Sequence, residues 1–136
     1  MSSREHFEAV LAESPYAQLL GVQIHEDAGG VYFALPFQPH NIGNDQLPAL
    51  HGGVIGGFLE TAALLHLLWL RESEELPRTV DFSVDYLRSG KAETLYARCS
   101  VTKQGKRVAN VLMTAWQDDP ARPVAVARAH FLLSAR

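Results

Sequence analysis

An unbroken apolar run at residues 54–70 constrains the fold of this 136-residue chain more than any other stretch. The run predicts a helix, and a helix without a polar stripe is buried on most sides or lies in a membrane. One charged residue, Glu60, stands inside the run. Because a glutamate is rarely fully buried unless it is paired or useful, Glu60 is either paired with a distant base or part of a functional site.

The residues just before the run give Glu60 a chemical context. His51, Gly52 and Gly53 precede it. If the helix starts there, its first N–H groups have no partner within the helix, and its positive dipole end favours an oxygen that gains negative charge. Glycines also let a ligand carbonyl approach the backbone closely. The pattern predicts an oxyanion site with a carboxylate further along the same helix, whereas the simpler interpretation is a Gly-Gly turn.

Composition excludes several classes of function. A formal net charge of −3 and a pI near 6.0 do not fit a general nucleic-acid binder. Cys99 is the single cysteine, so no internal disulfide can form, and a reducing cytoplasm is expected. A central carboxylate disfavours membrane insertion of the apolar run. We expect one cytoplasmic domain, residues 1–136, with residues 1–14 as a helical segment packed on it and no nucleic-acid or membrane partner.

The remaining segments read mainly as strands. Residues 22–26 and 31–36 alternate around a turn and predict a hairpin. Residues 78–88, 92–102, 107–117 and 123–133 predict four more strands. Within residues 78–88, alternation predicts one face with Val80, Phe82, Val84 and Tyr86, and the other with Thr79, Asp81, Ser83 and Asp85.

This order of elements predicts an α+β fold. A curved antiparallel sheet of about six strands would wrap around one long central helix. Open sheet edges in such a fold are naturally closed by pairing into a dimer.

Three segments carry a resemblance to a known family. They are residues 43–53 followed by Glu60-Thr61-Ala62, residues 79–88, and residues 103–109. With them, the chain resembles the hotdog-fold acyl-CoA thioesterases, in the subfamily of the phenylacetate-degradation thioesterase. The likeness extends in element order from about Pro15 to Leu133.

The resemblance implies an enzyme that hydrolyses an acyl-CoA thioester to a free acid and CoA. It implies an obligate homodimer, often a tetramer of two dimers, with active sites at the dimer seam. CoA is part of the substrate, so no cofactor and no metal are expected. The N–H of Gly52 would polarise the thioester carbonyl, and Glu60 would act as nucleophile or as the base for water.

The resemblance assigns other residues to supporting roles. Asn44 or Asp45 would orient the water or the thioester, and Thr79 would assist from the partner subunit. His51 either braces the loop before the helix or acts as a base.

Substrate contacts are expected at four further positions. Gly53 lies at the start of the helix, and Phe58 either lines the acyl pocket or belongs to the core. Arg88 and Lys91 are candidates for contacts with the CoA phosphates.

Two other functions fit the same residues. A hotdog hydratase acting on enoyl or hydroxyacyl thioesters would place a histidine such as His51 against the substrate with an acidic partner. A protein that binds acyl-CoA without turnover would keep the fold but would have no need of Glu60.

Overall fold

The computed structural model describes residues 5, 21–37, 52–71 and 77–133. Of the expected N-terminal helical segment, Glu5 alone is described, and it is helical. Within the described residues the chain forms one helix and six strands: β1 (Gln23–Asp27), β2 (Gly30–Leu35), α1 (Gly52–Arg71), β3 (Arg78–Tyr86), β4 (Leu95–Gln104), β5 (Val108–Trp116) and β6 (Ala125–Leu132).

The six strands make a single sheet in the order β1-β2-β4-β5-β6-β3, with every neighbouring pair antiparallel. The helix α1 packs across one face of this sheet, against five of its strands. Alternate residues of the central strands point toward α1 and are buried, among them Ala97, Met113 and Phe131. The predicted α+β hotdog arrangement, a curved sheet around one helix, is confirmed.

The hairpin of β1 and β2 follows the sequence prediction closely. Ala28 and Gly29 form a two-residue turn between Asp27 and Gly30, which pair across the ladder. The Asp27 carboxylate accepts a hydrogen bond from the N–H of Gly29 at 2.8 Å. Gly30 has a φ of 114°, a conformation that side-chain-bearing residues rarely adopt. The turn chemistry therefore sets the register of the first two strands.

A β-bulge in β3 corrects the predicted faces of this strand. The register shifts between Thr79, which pairs with Phe131, and Asp81, which pairs with His130. Val80 is the extra residue and is 62% exposed. A bulge moves the alternation by one position, so Thr79 shares the helix-facing side with Phe82. The predicted placement of Val80 and Thr79 was wrong, because alternation counts residues and takes no account of an inserted one.

One face of α1 is less buried than the others. Gly53, Gly57, Glu60 and Leu64 recur at spacings of three or four residues and are exposed or half-buried. The opposite side, which includes Ile55, Leu59 and Ala62, is buried, and from Leu65 to Leu68 the helix is buried all round. By length and composition alone α1 would reach across a bilayer, but half of its apolar window is buried inside the protein. Its apolar character is accounted for by packing under the sheet.

Candidate active site at the start of the central helix

Glu60 is half-buried on the less buried face of α1. No residue in the described ranges forms a hydrogen bond or an ion pair with its carboxylate. If Glu60 is paired with a basic side chain, that side chain is not among the described residues. A half-buried carboxylate with no counterion among the described residues is a candidate for a catalytic role.

Glycines form the surface next to Glu60. Helical side chains lean toward the N-terminus and cover the residues three and four positions earlier. For Glu60 these positions are Gly57 and Gly56, which carry no side chain. From Gly52 to Glu60 the helix rises by about 12 Å, at about 1.5 Å per residue. By this tendency the Glu60 side chain would lie over Gly57 and Gly56, where the Tyr86 hydroxyl approaches the helix from the side of Gly56.

Tyr86 fixes the first turn of α1 from the end of β3. Its hydroxyl donates a hydrogen bond of 2.7 Å to the carbonyl oxygen of Gly52. Its ring lies so close that a Cβ on Gly52 would sit 3.7 Å from it, and a Cβ on Gly56 would sit 3.2 Å from the hydroxyl oxygen. The distance at Gly52 is an ordinary contact, whereas the distance at Gly56 is tight, so the glycine at position 56 is the one that the tyrosine needs in order to pack against the helix.

Two adjoining grooves lead away from this first turn. The first has a volume of about 360 Å³ and is lined by Gly52, Ile55, Tyr86, Leu87, Arg88, Ser89 and Gly90. The second, about 220 Å³, shares Arg88 and Ser89 with it. Three cationic side chains line the second groove: Arg88, Lys91 and Arg122. Because the grooves share Arg88 and Ser89, they connect the helix start to a charged surface, where Asp118 and Asp119 lie beside the three basic residues.

Hydrogen bonds hold the walls of the second groove in place. Gln117 accepts a bond from the Lys91 N–H at 2.9 Å and donates to the carbonyls of Lys91 and Glu93 at 2.9 and 3.2 Å. The Arg88 Nε donates to the carbonyl of Pro123 at 2.9 Å. The Lys91 ammonium lies 3.8 Å from an Asp118 oxygen, in an exposed ion pair. Such exposed pairs contribute little, so this ammonium is easily redirected to an anionic ligand.

The predicted site residues divide into three groups. Gly52, Gly53 and Glu60 lie on α1 as expected, and Thr79 faces the same side of the sheet as that helix. Phe58 has no exposed surface and belongs to the core cluster, so its contact with substrate stays a prediction. The predicted roles of Asn44, Asp45 and His51 fall outside the described residues.

Sequence reasoning did not place Tyr86 against the start of the helix, and it assigned no role to Arg122. Both reach the site from loops or strand ends far from it along the chain. For Tyr86 the sequence did contain a signal. A tyrosine that points inward at a strand end can pack against a helix surface on which two glycines lie four residues apart. For Arg122 no local pattern distinguishes it from other surface arginines.

Two further groups with unusual environments lie away from the grooves. His66 on α1 is buried, its Nδ1 has no hydrogen-bond partner, and burial lowers its pKa. Burial raises the pKa of the Cys99 thiol, so this cysteine stays protonated and is a poor nucleophile. In the ranges that the structure covers, no three His, Cys, Asp or Glu side chains are grouped to hold a metal ion.

The fold and the sequence together define the class of protein. Residues 47–124 match the family model described as the thioesterase superfamily, and the chain belongs to this family. It is a thioester hydrolase of the hotdog type, which agrees with the carboxylate and the helix start described above.

Individual relatives narrow the likeness further. The medium/long-chain acyl-CoA thioesterase YigI of Escherichia coli K12 is 31% identical over 109 residues, which cover 70% of this chain and 70% of YigI. A crystal structure of a Chromobacterium violaceum protein is 55% identical, covers 96% of this chain and 91% of its own, and superposes with a TM-score of 0.77. The E. coli PaaI protein of the phenylacetic acid degradation operon shares the fold at 20% identity, covering 98% of this chain and 94% of PaaI, with a TM-score of 0.79.

Of the functions considered from the sequence, thioester hydrolysis is thus the one that the relatives support. The hydratase and the non-catalytic binding protein have no support among them.

Proposed function

We propose that this protein hydrolyses acyl-CoA thioesters at the start of α1, with Glu60 as the group that drives the reaction. The observation that carries the proposal is the half-buried Glu60 carboxylate, which has no partner in the described ranges and lies on the helix that begins at Gly52. The acyl-CoA substrate is supported by the YigI relatives, whose name specifies that activity.

The chemistry needs one place for negative charge and one group to activate water. As a water oxygen or a carboxylate attacks the thioester carbon, charge develops on the carbonyl oxygen. In this proposal the Gly52 N–H, at the positive end of the helix dipole, stabilises that charge. In well-studied acyl-transfer enzymes the loss of one such donor costs roughly 3 kcal/mol in the barrier.

Two routes are compatible with Glu60. As a general base it takes a proton from water, the hydroxide adds to the carbonyl carbon, and the C–S bond breaks with that proton passing to the CoA sulfur. As a nucleophile it forms a mixed anhydride with release of CoA, and water then hydrolyses the anhydride. Both require Glu60 to be ionised, and both end in the free acid and CoA.

The adjoining grooves supply a path for the CoA part of the substrate. With the thioester at Gly52, the extended arm would run past Tyr86 and Ser89, and the phosphates would meet Arg88 and Lys91. Arg122, on the same groove wall, adds a third positive charge. Charged contacts of this exposed kind are screened by salt, so the KM for acyl-CoA should rise with ionic strength more than kcat changes.

The active form is proposed to be a homodimer in the cytoplasm, with a tetramer of two dimers as the larger assembly. Among the described strands, β3 ends the sheet on one side, next to β6, and its outer edge has no strand partner there. Pairing of two such edges would bring Thr79 of one subunit near the helix of the other. Asn44 or Asp45 would then orient water or thioester, and His51 would brace the preceding loop.

The test is a thiol-release assay on short, medium, long and aromatic acyl-CoAs, with crotonyl-CoA hydration measured in parallel. Glu60→Gln removes the charge and keeps the shape, and we expect it to lower kcat by about 10²–10⁴-fold, the usual contribution of a general base. Glu26→Gln makes the same charge change on β1, at the sheet edge opposite to β3, and should leave turnover unchanged. Wild-type turnover in Glu60→Gln, on the best acyl-CoA, would refute the assignment.

A further inference from the structure

We propose that Tyr86 is a positioning residue for the reaction: it holds the first turn of α1 in the orientation that receives the thioester oxygen. The inference rests on the proposed function, because it concerns the same helix start. It assigns to a β3 side chain a role that neither the charge pattern nor the family match supplies.

The side chain of Tyr86 contacts that turn. Its hydroxyl donates 2.7 Å to the Gly52 carbonyl oxygen, and its ring edge lies against the Gly52 and Gly56 positions. The side chain is 50% exposed. A half-exposed tyrosine whose described hydrogen bond goes to the backbone of a candidate oxyanion turn adds little to the core but constrains that turn directly.

The first turn needs such a constraint. Four of the first six residues of α1 are glycines, at positions 52, 53, 56 and 57, and glycine is among the weakest helix formers. A turn of this composition has many accessible conformations. Tyr86 is the last residue of β3, so its hydrogen bond ties the turn to the rigid end of a strand. Catalytic donors must be held within a fraction of an ångström of the productive geometry.

The close packing of Tyr86 against Gly56 allows a second test of the same contact. A Cβ at position 56 would sit 3.2 Å from the Tyr86 hydroxyl oxygen and 3.9 Å from the Phe82 ring. The first distance is shorter than an ordinary van der Waals contact, so alanine at position 56 would push the hydroxyl away by a few tenths of an ångström. This shift would weaken the hydrogen bond of the hydroxyl to Gly52. The second distance is an ordinary contact, so the clash depends on the hydroxyl.

The experiment combines Tyr86→Phe, Gly56→Ala and the double variant, with kcat, KM and Tm measured for each. Tyr86→Phe removes the hydroxyl and keeps the ring; we expect kcat to fall by about tenfold and KM to change by less than about threefold, as for an interaction that matters most in the transition state. Gly56→Ala should lower kcat similarly. Since the clash needs the hydroxyl, the double variant should lose no more than Tyr86→Phe alone.

Stability separates positioning from a merely structural role. Alanine is a better helix former than glycine, so the Tm of Gly56→Ala should equal or exceed that of the wild type while its kcat falls. Tyr96→Phe removes a hydroxyl from the outer sheet face, where Tyr96 stacks on Trp116, and should leave kcat unchanged. A wild-type kcat in Tyr86→Phe would overturn the proposal, as would losses in Tyr86→Phe and Gly56→Ala that simply add in the double variant.

The Glu60→Gln variant shows which of the two proposals fails. If Glu60→Gln is inactive and Tyr86→Phe behaves as the wild type, the role of Tyr86 alone is refuted. If Glu60→Gln keeps full turnover, the site itself is misplaced, and the inference falls with it.

Discussion

The two halves of the central helix differ in composition, burial and, we propose, in purpose. Residues 52–60 contain four glycines and the half-buried Glu60. Residues 61–70 contain no glycine, and Leu65, Leu67 and Leu68 are almost fully buried. Each glycine in a helix interior costs about 1 kcal/mol relative to alanine. The first half is therefore intrinsically the weaker helix former, and the buried side chains from Leu59 to Leu68 supply much of the packing that lets the whole helix form.

This division shows how one element provides both a core and a reactive surface. A helix start that must admit a ligand to its backbone cannot carry large side chains, so its stability has to come from elsewhere. Here it comes from leucines two to four turns further on and from the contact with Tyr86. The predictions below test whether the two halves are as separate as their contacts suggest.

The largest expected effect belongs to the first half and concerns activity alone. Beyond lowering kcat by about 10²–10⁴-fold, Glu60→Gln should leave the free energy of unfolding within about 1 kcal/mol of the wild type, since the carboxylate has no partner in the described ranges. Chemical denaturation measures this directly. A loss of several kcal/mol would mean that Glu60 is a structural ion-pair member and would erase the distinction between the halves.

A matched pair of leucines compares the halves at equal burial. Leu59 and Leu67 are both fully buried, and each shortened to alanine should cost about 2–5 kcal/mol of stability. Leu59 directly precedes Glu60, so a cavity there lets the carboxylate shift; an ångström of misplacement costs up to about 10²-fold in rate. We expect Leu59→Ala to lower kcat at least tenfold and Leu67→Ala to leave it within about threefold.

These measurements must be made on folded protein, well below each variant's Tm. Equal losses of kcat in Leu59→Ala and Leu67→Ala would show that the helix transmits disturbances along its whole length. In that case the second half would be part of the active site in effect, even though it lies away from the grooves.

The sequence predicted the fold better than the site, for physical reasons. An apolar run with one carboxylate, a two-residue turn at Ala28-Gly29 and four alternating segments are local patterns, and each element formed within a few residues of its expected bounds. The bulge at Val80 was missed because the sequence still alternates between apolar and polar residues across it.

The parts of the site that the sequence did not predict depend on contacts between distant residues. Gly52 and Tyr86 are 34 positions apart, and their hydrogen bond follows from the register of β3 against β6. No window of sequence contains that register. Glu60 could be recognised because a charged residue is unexpected within an apolar run. Tyr86 and Arg122 are not unexpected among their sequence neighbours.

The smallest expected effect tests the second half through His66. Burial lowers the pKa of this histidine below its ordinary value of about 6.5, so the unfolded chain takes up its proton first as pH falls. Stability is therefore complete above about pH 6.5 and declines as pH drops toward the folded-state pKa. One proton limits this decline to about 1.4 kcal/mol per pH unit.

The substitution His66→Leu should remove this decline and also remove a buried nitrogen that has no hydrogen-bond partner. We expect the free energy of unfolding of wild type and His66→Leu to diverge from pH 7 to pH 5 in urea titrations, with the variant the more stable. Its kcat at pH 7 should match the wild type, because His66 lies in the packing half of the helix. If the pH dependence were unchanged and kcat fell, His66 would have to be counted with Glu60, and the functional half of the helix would extend at least one and a half turns further.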